Sequence, residues 1–327
     1  MGICCSVRDI GACPYACLAF PCPCSTNCCG IGIPPCGYNP LVFLLRLPYY
    51  NQFSRFQRLR WLPLTSACSS STPCCDSLSC LHSVPMAEWR HSNAKFTLIL
   101  SHGNGQDLQY LCSDVVPRLQ GLRTPVNIVC YEYPGYSLSP LPTSEWLCLH
   151  AAEAAYHYVR TTLGTPPEQI IIYGISLGTG PAVHTAANYE VGGLILQSPY
   201  TSIGATKVGL DLARRLWCID LFQSYRLAPD VRVPVQLYHG SVDEVVPPQC
   251  SEDLASLFPQ VFGGQPVFCS GAGHNDVIEL LHSRGQYLPM LDAYLASLQH
   301  GGHAGPDQVP LQWAMGAGNP EAADNWG

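Results

Sequence analysis

Two rhythms of apolar residues take turns along this chain. Mostly apolar runs recur at Phe96–Ser101, Asn127–Tyr133, Ile170–Tyr173, Gly193–Gln197, Pro234–His239 and Pro266–Cys269. Short runs with no polar alternation are the mark of strands buried on both faces. Between them the apolar residues return at helical spacing. Ser144–Leu163 carries Ala151, Ala152, Ala154, Ala155, Val159 and Leu163 on one side, and Leu177–Tyr189 and Gln286–Gln299 read as further helices. The alternation predicts an α/β fold, a mostly parallel twisted sheet with helices on both faces. Outside this region the pattern thins. Arg58–Leu64 and Leu78–Met86 read as first strands separated by a loop at Ser66–Ser71, and an apolar stretch Val208–Trp217 between Pro199 and Val233 predicts a small lid. Residues 1–40 are low-complexity in Cys, Pro and Gly, and the Gly/Pro-rich tail past His300 is expected to be disordered. The expected organisation is a segment 1–40, one domain over 41–300 with a poorly defined stretch 41–95, and a tail 301–327.

The run Ile170–Tyr173 feeds directly into Gly174-Ile175-Ser176-Leu177-Gly178, a Gly-x-Ser-x-Gly followed by small residues that can start a helix. This is the strand, elbow and helix context of a nucleophilic serine, with Ser176 as the candidate. The flanking glycines have a steric reason, because a Cβ at either would meet neighbouring backbone in so tight a turn. A serine is a poor nucleophile at neutral pH until an imidazole takes its proton and a carboxylate orients that imidazole. On a doubly wound sheet these groups stand on loops at the carboxyl ends of strands. Asp243 follows the Pro234–His239 run, and His274 follows Pro266–Cys269 within Gly271-Ala272-Gly273-His274-Asn275-Asp276. The order Ser176, Asp243, His274 suits an α/β-hydrolase fold. Glu244 competes with Asp243, but the shorter aspartate comes first after the turn. Asp276 is better placed to shape the His274 loop, while His102 and His239, at strand ends, read as residues that bond their own loops. Backbone donors for an oxyanion are expected at Leu177, directly after the nucleophile, and at Asn104 in His102-Gly103-Asn104.

Composition changes the picture mainly at the front of the chain. Of 327 residues 47% are hydrophobic, enough for one large core, and the formal charge is −7. Residues 1–75 hold five arginines against one acid, a basic front on an acidic body that suggests an anionic surface as neighbour. Nothing resembles a nucleic-acid footprint. The nineteen cysteines do not read as a disulfide scaffold in a chain of this length. Zinc is poorly supported, because the N-terminal spacings contain no Cys-x₂-Cys, and no metal or cofactor is expected. Met1-Gly2-Ile3-Cys4-Cys5-Ser6 instead fits N-myristoylation at Gly2. One myristoyl chain binds membranes with an association constant of only about 10⁴ M⁻¹, so a second anchor is required, and Cys4 and Cys5 are placed to be palmitoylated.

Several motifs together resemble the α/β-hydrolase domain-containing protein 17 family of membrane-associated protein depalmitoylases. They are Ser-His-Gly-Asn at 101–104, Tyr173-Gly174-x-Ser176-x-Gly178-Thr179, Ser198-Pro199-x-Thr201-Ser202, His239-Gly240-x-x-Asp243-Glu244-Val245 and Gly271–Asp276, above a cysteine-clustered N-terminus. The resemblance covers roughly residues 96–300. It implies that Ser176, Asp243 and His274 form the triad and that the cysteine cluster is palmitoylated. The substrates it implies are S-acylated membrane proteins, met on the cytoplasmic face of membranes where acyl anchors hold the enzyme. The myristoylation motif, the long 41–95 segment and the extended tail depart from the family pattern. A lipid or carboxyl esterase, or a serine peptidase, would use the same triad. A non-catalytic membrane scaffold on a hydrolase fold is the alternative of another class, and the intact triad counts against it.

Overall fold

The computed structural model describes residues 59–64, 83–137, 139, 143–216 and 220–299. The expectations for residues 1–40, for Ser66–Ser71, for Trp217 and for the tail past His300 lie outside these residues, as do Gly2, Cys4 and Cys5. Eight strands form one sheet in the order β1-β2-β4-β3-β5-β6-β7-β8. They are β1 (Leu59–Pro63), β2 (Ser83–Trp89), β3 (Phe96–Ser101), β4 (Val126–Tyr131), β5 (Ile170–Ile175), β6 (Gly193–Gln197), β7 (Val235–Gly240) and β8 (Val267–Cys269). The first two strands join antiparallel at one edge, and every pairing from β4 through β8 is parallel.

Every residue of β3, β5, β6 and β7 is buried, as mostly apolar runs imply. Their side chains point alternately to two cores. Ile99, Val129, Ile172 and Leu196 face one side, which is covered by α2 (Glu145–His157), α3 (Thr179–Asn188), α6 (Ser224–Leu227) and α7 (Gln249–Leu257). Leu98, Leu100, Ile171 and Tyr173 face the other, where α1 (108–119), α8 (Val277–Ser283) and α9 (Tyr287–Gln299) lie. The remaining helices, α4 (Ala205–Val208) and α5 (Leu210–Arg215), form the connection after β6.

Three details depart from the pattern read in the sequence. Helices α1, α7 and α8 carried no clear periodic signal. In α1 the turn Leu111–Val115 is a π-helix ahead of Pro117, with the Val116 N–H reaching back to Leu111 O. The stretch expected as helical from Val208 begins instead at Leu210, because Gly209 at φ 78°, in the left-handed region that breaks a helix, leaves Val208 at the end of α4 and starts α5.

Candidate active site

Ser176 stands between β5 and α3 with φ 49°, in the left-handed region that a non-glycine residue enters only when its surroundings hold it there. The surroundings here are main chain. β3 and β5 pair with Ser101 opposite Gly174. A Cβ on Gly178 would lie 2.2 Å from Ser101 O, and one on Gly174 would lie 2.6 Å from Gly178 O. Strand, elbow and the residue after β3 are thus in direct backbone contact, and only glycine permits that approach. Tyr200, buried after β6, donates its hydroxyl to Leu177 O at 2.8 Å and holds the outer side of the elbow.

Asp243 and His274 leave strands that are two and three places removed from β5, roughly 10 and 14 Å away at ordinary strand spacing. The loops close that distance by folding back on each other. Gly240 marks the contact, since a Cβ there would lie 2.2 Å from Gly273 O and 2.4 Å from Ala272 O. His274 consequently reaches Ser176, with 2.8 Å between its Nε2 and Ser176 Oγ, and its Nδ1 lies 2.7 Å from Asp243 Oδ2. A carboxylate at Nδ1 places the ring proton there and leaves Nε2 as an acceptor for the serine hydroxyl. Glu244 is exposed beside the buried Asp243, so the aspartate alone faces the ring.

The carboxylate of Asp243 is heavily served. Burial opposes its charge, but hydrogen bonds from His239, His274 and the Val246 N–H outweigh burial and hold the carboxyl well below the usual aspartate range. The Val245 N–H adds a bond of 2.9 Å to Oδ1. His239 is a component that sequence reading assigned only to its own loop. Its Nε2 lies 3.0 Å from Val246 O and 3.2 Å from Asp243 Oδ2, and its Nδ1 lies 2.6 Å from Ser251 Oγ. The His-Gly-x-x-Asp spacing was the available signal, because a strand-end histidine four residues before a loop acid can turn onto it. Asp276 accepts from Gly273 N at 2.7 Å and shapes the His274 loop, as expected.

His102 does bond its own loop, with Nδ1 2.9 Å from Gly103 O. The Gly103 carbonyl also accepts from Gln106 N at 3.2 Å, and because the peptide is trans the Asn104 N–H points away from that doubly held oxygen. A Cβ on Gly103 would sit 3.3 Å from Ser176 Cβ, so this loop lies against Ser176. Behind it is a buried pair invisible in the sequence, His102 Nε2 at 2.7 Å from Glu132 Oε1. Glu132 further accepts from Leu108 N at 3.0 Å and Tyr133 N at 3.1 Å. The other N–H expected as an oxyanion donor, that of Leu177, lies in the short helix Ser176–Gly178, whose first turn has no side-chain cap.

The described cysteines are free, and burial pushes the thiols of Cys112 and Cys148 up to about 12, where they are neither nucleophiles nor ligands at neutral pH. Among the described residues no three His, Cys, Asp or Glu side chains gather where they could hold a metal ion.

Comparison with known proteins agrees with the architecture. No protein-family model matches the chain. It is 38% identical over 204 residues to human alpha/beta hydrolase domain-containing protein 17B, a match covering 62% of this chain and 67% of that one. It is 38% identical over 203 residues to the 17C protein of Xenopus laevis, covering 62% of each chain. Among solved structures, the alpha/beta hydrolase GrgF from Penicillium sp. sh18 superposes with a TM-score of 0.51 at 13% identity, over 68% of this chain and 95% of that one. The esterase RhEst1 from Rhodococcus sp. ECU1013 does so with a TM-score of 0.50 at 18% identity, over 66% and 96%.

Proposed function

The chain belongs to the alpha/beta hydrolase domain-containing protein 17 family and is an α/β hydrolase, and from that premise we propose that it is a membrane-anchored serine hydrolase that removes fatty-acyl groups from S-palmitoylated cysteines of proteins. The observation that carries the serine chemistry is the line Ser176 Oγ, His274, Asp243, joined at 2.8 and 2.7 Å on a left-handed elbow. In the first half-reaction Ser176 Oγ attacks the thioester carbonyl while His274 Nε2 takes the hydroxyl proton. The imidazolium is stabilised by Asp243, and the tetrahedral oxyanion is met by the N–H groups of Leu177 and Asn104. Collapse breaks the C–S bond, and the proton passes from His274 to the departing cysteine sulfur. A water then gives its proton to His274, attacks the acyl-serine, and releases the fatty acid with Ser176 restored.

The thioester is supported by the motif resemblance and by the anchor sequence. Gly2, Cys4 and Cys5 would hold the enzyme at the cytoplasmic surface where acylated cysteines reside, and a shared surface raises the effective concentration of substrate. The direct test is a fluorophosphonate probe, which should label the wild type and spare Ser176→Ala. It is paired with turnover of a palmitoyl-cysteine peptide against a glycerolipid. Equal labelling of both proteins would overturn the serine mechanism, and cleavage of the glycerolipid alone would assign the site to the esterase reading.

A further inference from the structure

More than the triad converges on Asp243. The N–H groups of Val245 and Val246 reach its Oδ1 at 2.9 and 2.8 Å, and His274 Nδ1 reaches Oδ2 at 2.7 Å. His239 Nε2 lies 3.2 Å from that same Oδ2, and the side chains of both residues are fully buried. An ionised carboxylate offers about four lone-pair sites. Two backbone donors and two imidazoles fill them. A proton could settle on Asp243 only by displacing one of these donors, so the carboxylate keeps its negative charge while His274 gains and loses a proton beside it.

The neighbours of His239 decide which of its nitrogens carries the proton. Val246 O, 3.0 Å from Nε2, is a carbonyl and only accepts, so the proton is on Nε2 and stands between Val246 O and Asp243 Oδ2. Nδ1 lies 2.6 Å from Ser251 Oγ, whose hydroxyl can donate to it. Ser251 is itself fixed, buried in the first turn of α7 with its N–H reaching Pro248 O at 2.9 Å. A serine that donates to Nδ1 locks the ring as the Nε2–H tautomer, the neutral form that can donate to Asp243. Two imidazoles thus share one carboxylate oxygen in different roles. His274 faces Ser176 and exchanges protons, while His239 is held from behind by Ser251 and Val246. Each donor to Oδ2 draws charge from it, and a carboxylate with less charge to offer stabilises the His274 imidazolium less. An unshared Asp243 would favour that imidazolium in the resting enzyme, where the ring must be neutral to act as a base.

We propose that His239, with its tautomer held by Ser251, is a positioning residue of the reaction: its Nε2–H fixes the Asp243 carboxylate and limits the pull of that carboxylate on His274, which stays ready to take the Ser176 proton. Burial works against the charge of Asp243, and the bonds from His239 and His274 outweigh it. The other ionisable groups around the carboxylate leave this arrangement undisturbed. Glu244 is exposed, Asp276 accepts from Gly273 N at 2.7 Å, and burial raises the thiol of Cys250 on α7 and keeps it neutral. The inference rests on the Ser176 mechanism of the proposed function, but not on its thioester substrate.

The experiment follows, as a function of pH, the rate at which a fluorophosphonate labels Ser176 of the full chain. Two variants divide the contacts of the ring. In His239→Gln the amide nitrogen stands near the place of Nε2 and still donates to Asp243, whereas in His239→Asn it stands near the place of Nδ1, keeps Ser251 and leaves Oδ2 unshared. His239→Asn should move the acid limb of the labelling rate upward by about 0.5–1 pH unit and lower the plateau roughly tenfold. His239→Gln should restore most of the parental limb. Histidine-selective ¹⁵N NMR of the parent, with the His239 signal assigned by its loss in His239→Gln, should show Nε2 protonated and Nδ1 bare at neutral pH. An acid limb that neither variant moves, or that both move alike, reduces His239 to stitching its loop onto α7 and overturns the proposal. A bare Nε2 in the parent overturns it even if no variant folds, because nothing is then left to donate to Asp243, and a protonated Nδ1 overturns the role of Ser251. A parent that the probe labels but that cleaves no palmitoyl-cysteine peptide overturns the thioester reading alone, and a parent that the probe does not label overturns the serine mechanism itself.

Discussion

Replacing Gly178 with alanine tests whether main-chain contact between β3 and the elbow is what aims the site. The new Cβ would lie 2.2 Å from Ser101 O, 2.6 Å from Ser101 C and 2.7 Å from His102 O. None of these atoms can swing aside, because β3 is paired on both sides, to β4 and β5. Relief to an ordinary contact distance requires the two segments to part by about 1 Å. Forcing an extra methyl into packed backbone typically costs about 1–3 kcal/mol, which for a domain of this size lowers Tm by roughly 2–12 °C. The larger effect falls on rate. The parting moves the loop that carries Asn104 N–H away from Ser176 and Leu177 N–H, and a displacement near 1 Å costs about 100-fold. Active-site titration with a fluorophosphonate, followed by steady-state hydrolysis of a soluble acyl thioester below the melt, should show kcat down by about 100-fold with KM little changed. Gly164→Ala is the control. Gly164 has φ 67° and nothing within 4 Å of an added Cβ, so alanine there costs about 1 kcal/mol of left-handed strain and no activity. A folded Gly178→Ala enzyme with wild-type kcat would refute the reasoning.

Three further outcomes are expected. Asp243 is held below the usual aspartate range in the fold, so its stabilising contribution is complete above about pH 4 and is lost as pH falls through the lower folded value. Asp243→Asn should therefore flatten the acid limb of a stability-versus-pH curve measured by denaturant titration, and an unchanged limb would exclude this group as its source. Glu132→Gln removes one acceptor from His102, Leu108 N and Tyr133 N in a fully buried pair, which should cost about 3 kcal/mol or more by denaturant midpoint, with a fall in kcat as the Asn104 peptide loosens. An unmoved midpoint would show that the pair does not support the loop. Gly2→Ala should move the protein from the membrane to the soluble fraction in cells, and retention would mean that the downstream cysteines or the Arg46–Arg60 region suffice.

The strand runs, the elbow and the order Ser176, Asp243, His274 could be read directly from the chain, because each depends on neighbours close in sequence. Phe96–Ser101 and Gly193–Gln197 coincide with β3 and β6, since a strand buried on both faces reads as a short, mostly apolar run. Gly174 and Gly178 were similarly legible from the motif, although only Gly174 is demanded locally, by Gly178 O, while Gly178 is demanded by Ser101 O of β3. What the chain in one dimension could not supply is contact between segments far apart. Glu132 lies thirty residues from His102 and is one acid among 23 until the sheet sets β4 beside β3. His274 reaches Asp243 only because Gly240 lets two loops touch, and the stretch read as helical from Val208 is interrupted because Gly209 takes a left-handed turn. Ser176, Asp243 and His274 come to one edge of the sheet because parallel strands deliver the loops at their carboxyl ends to the same side, a consequence of topology that no local pattern encodes.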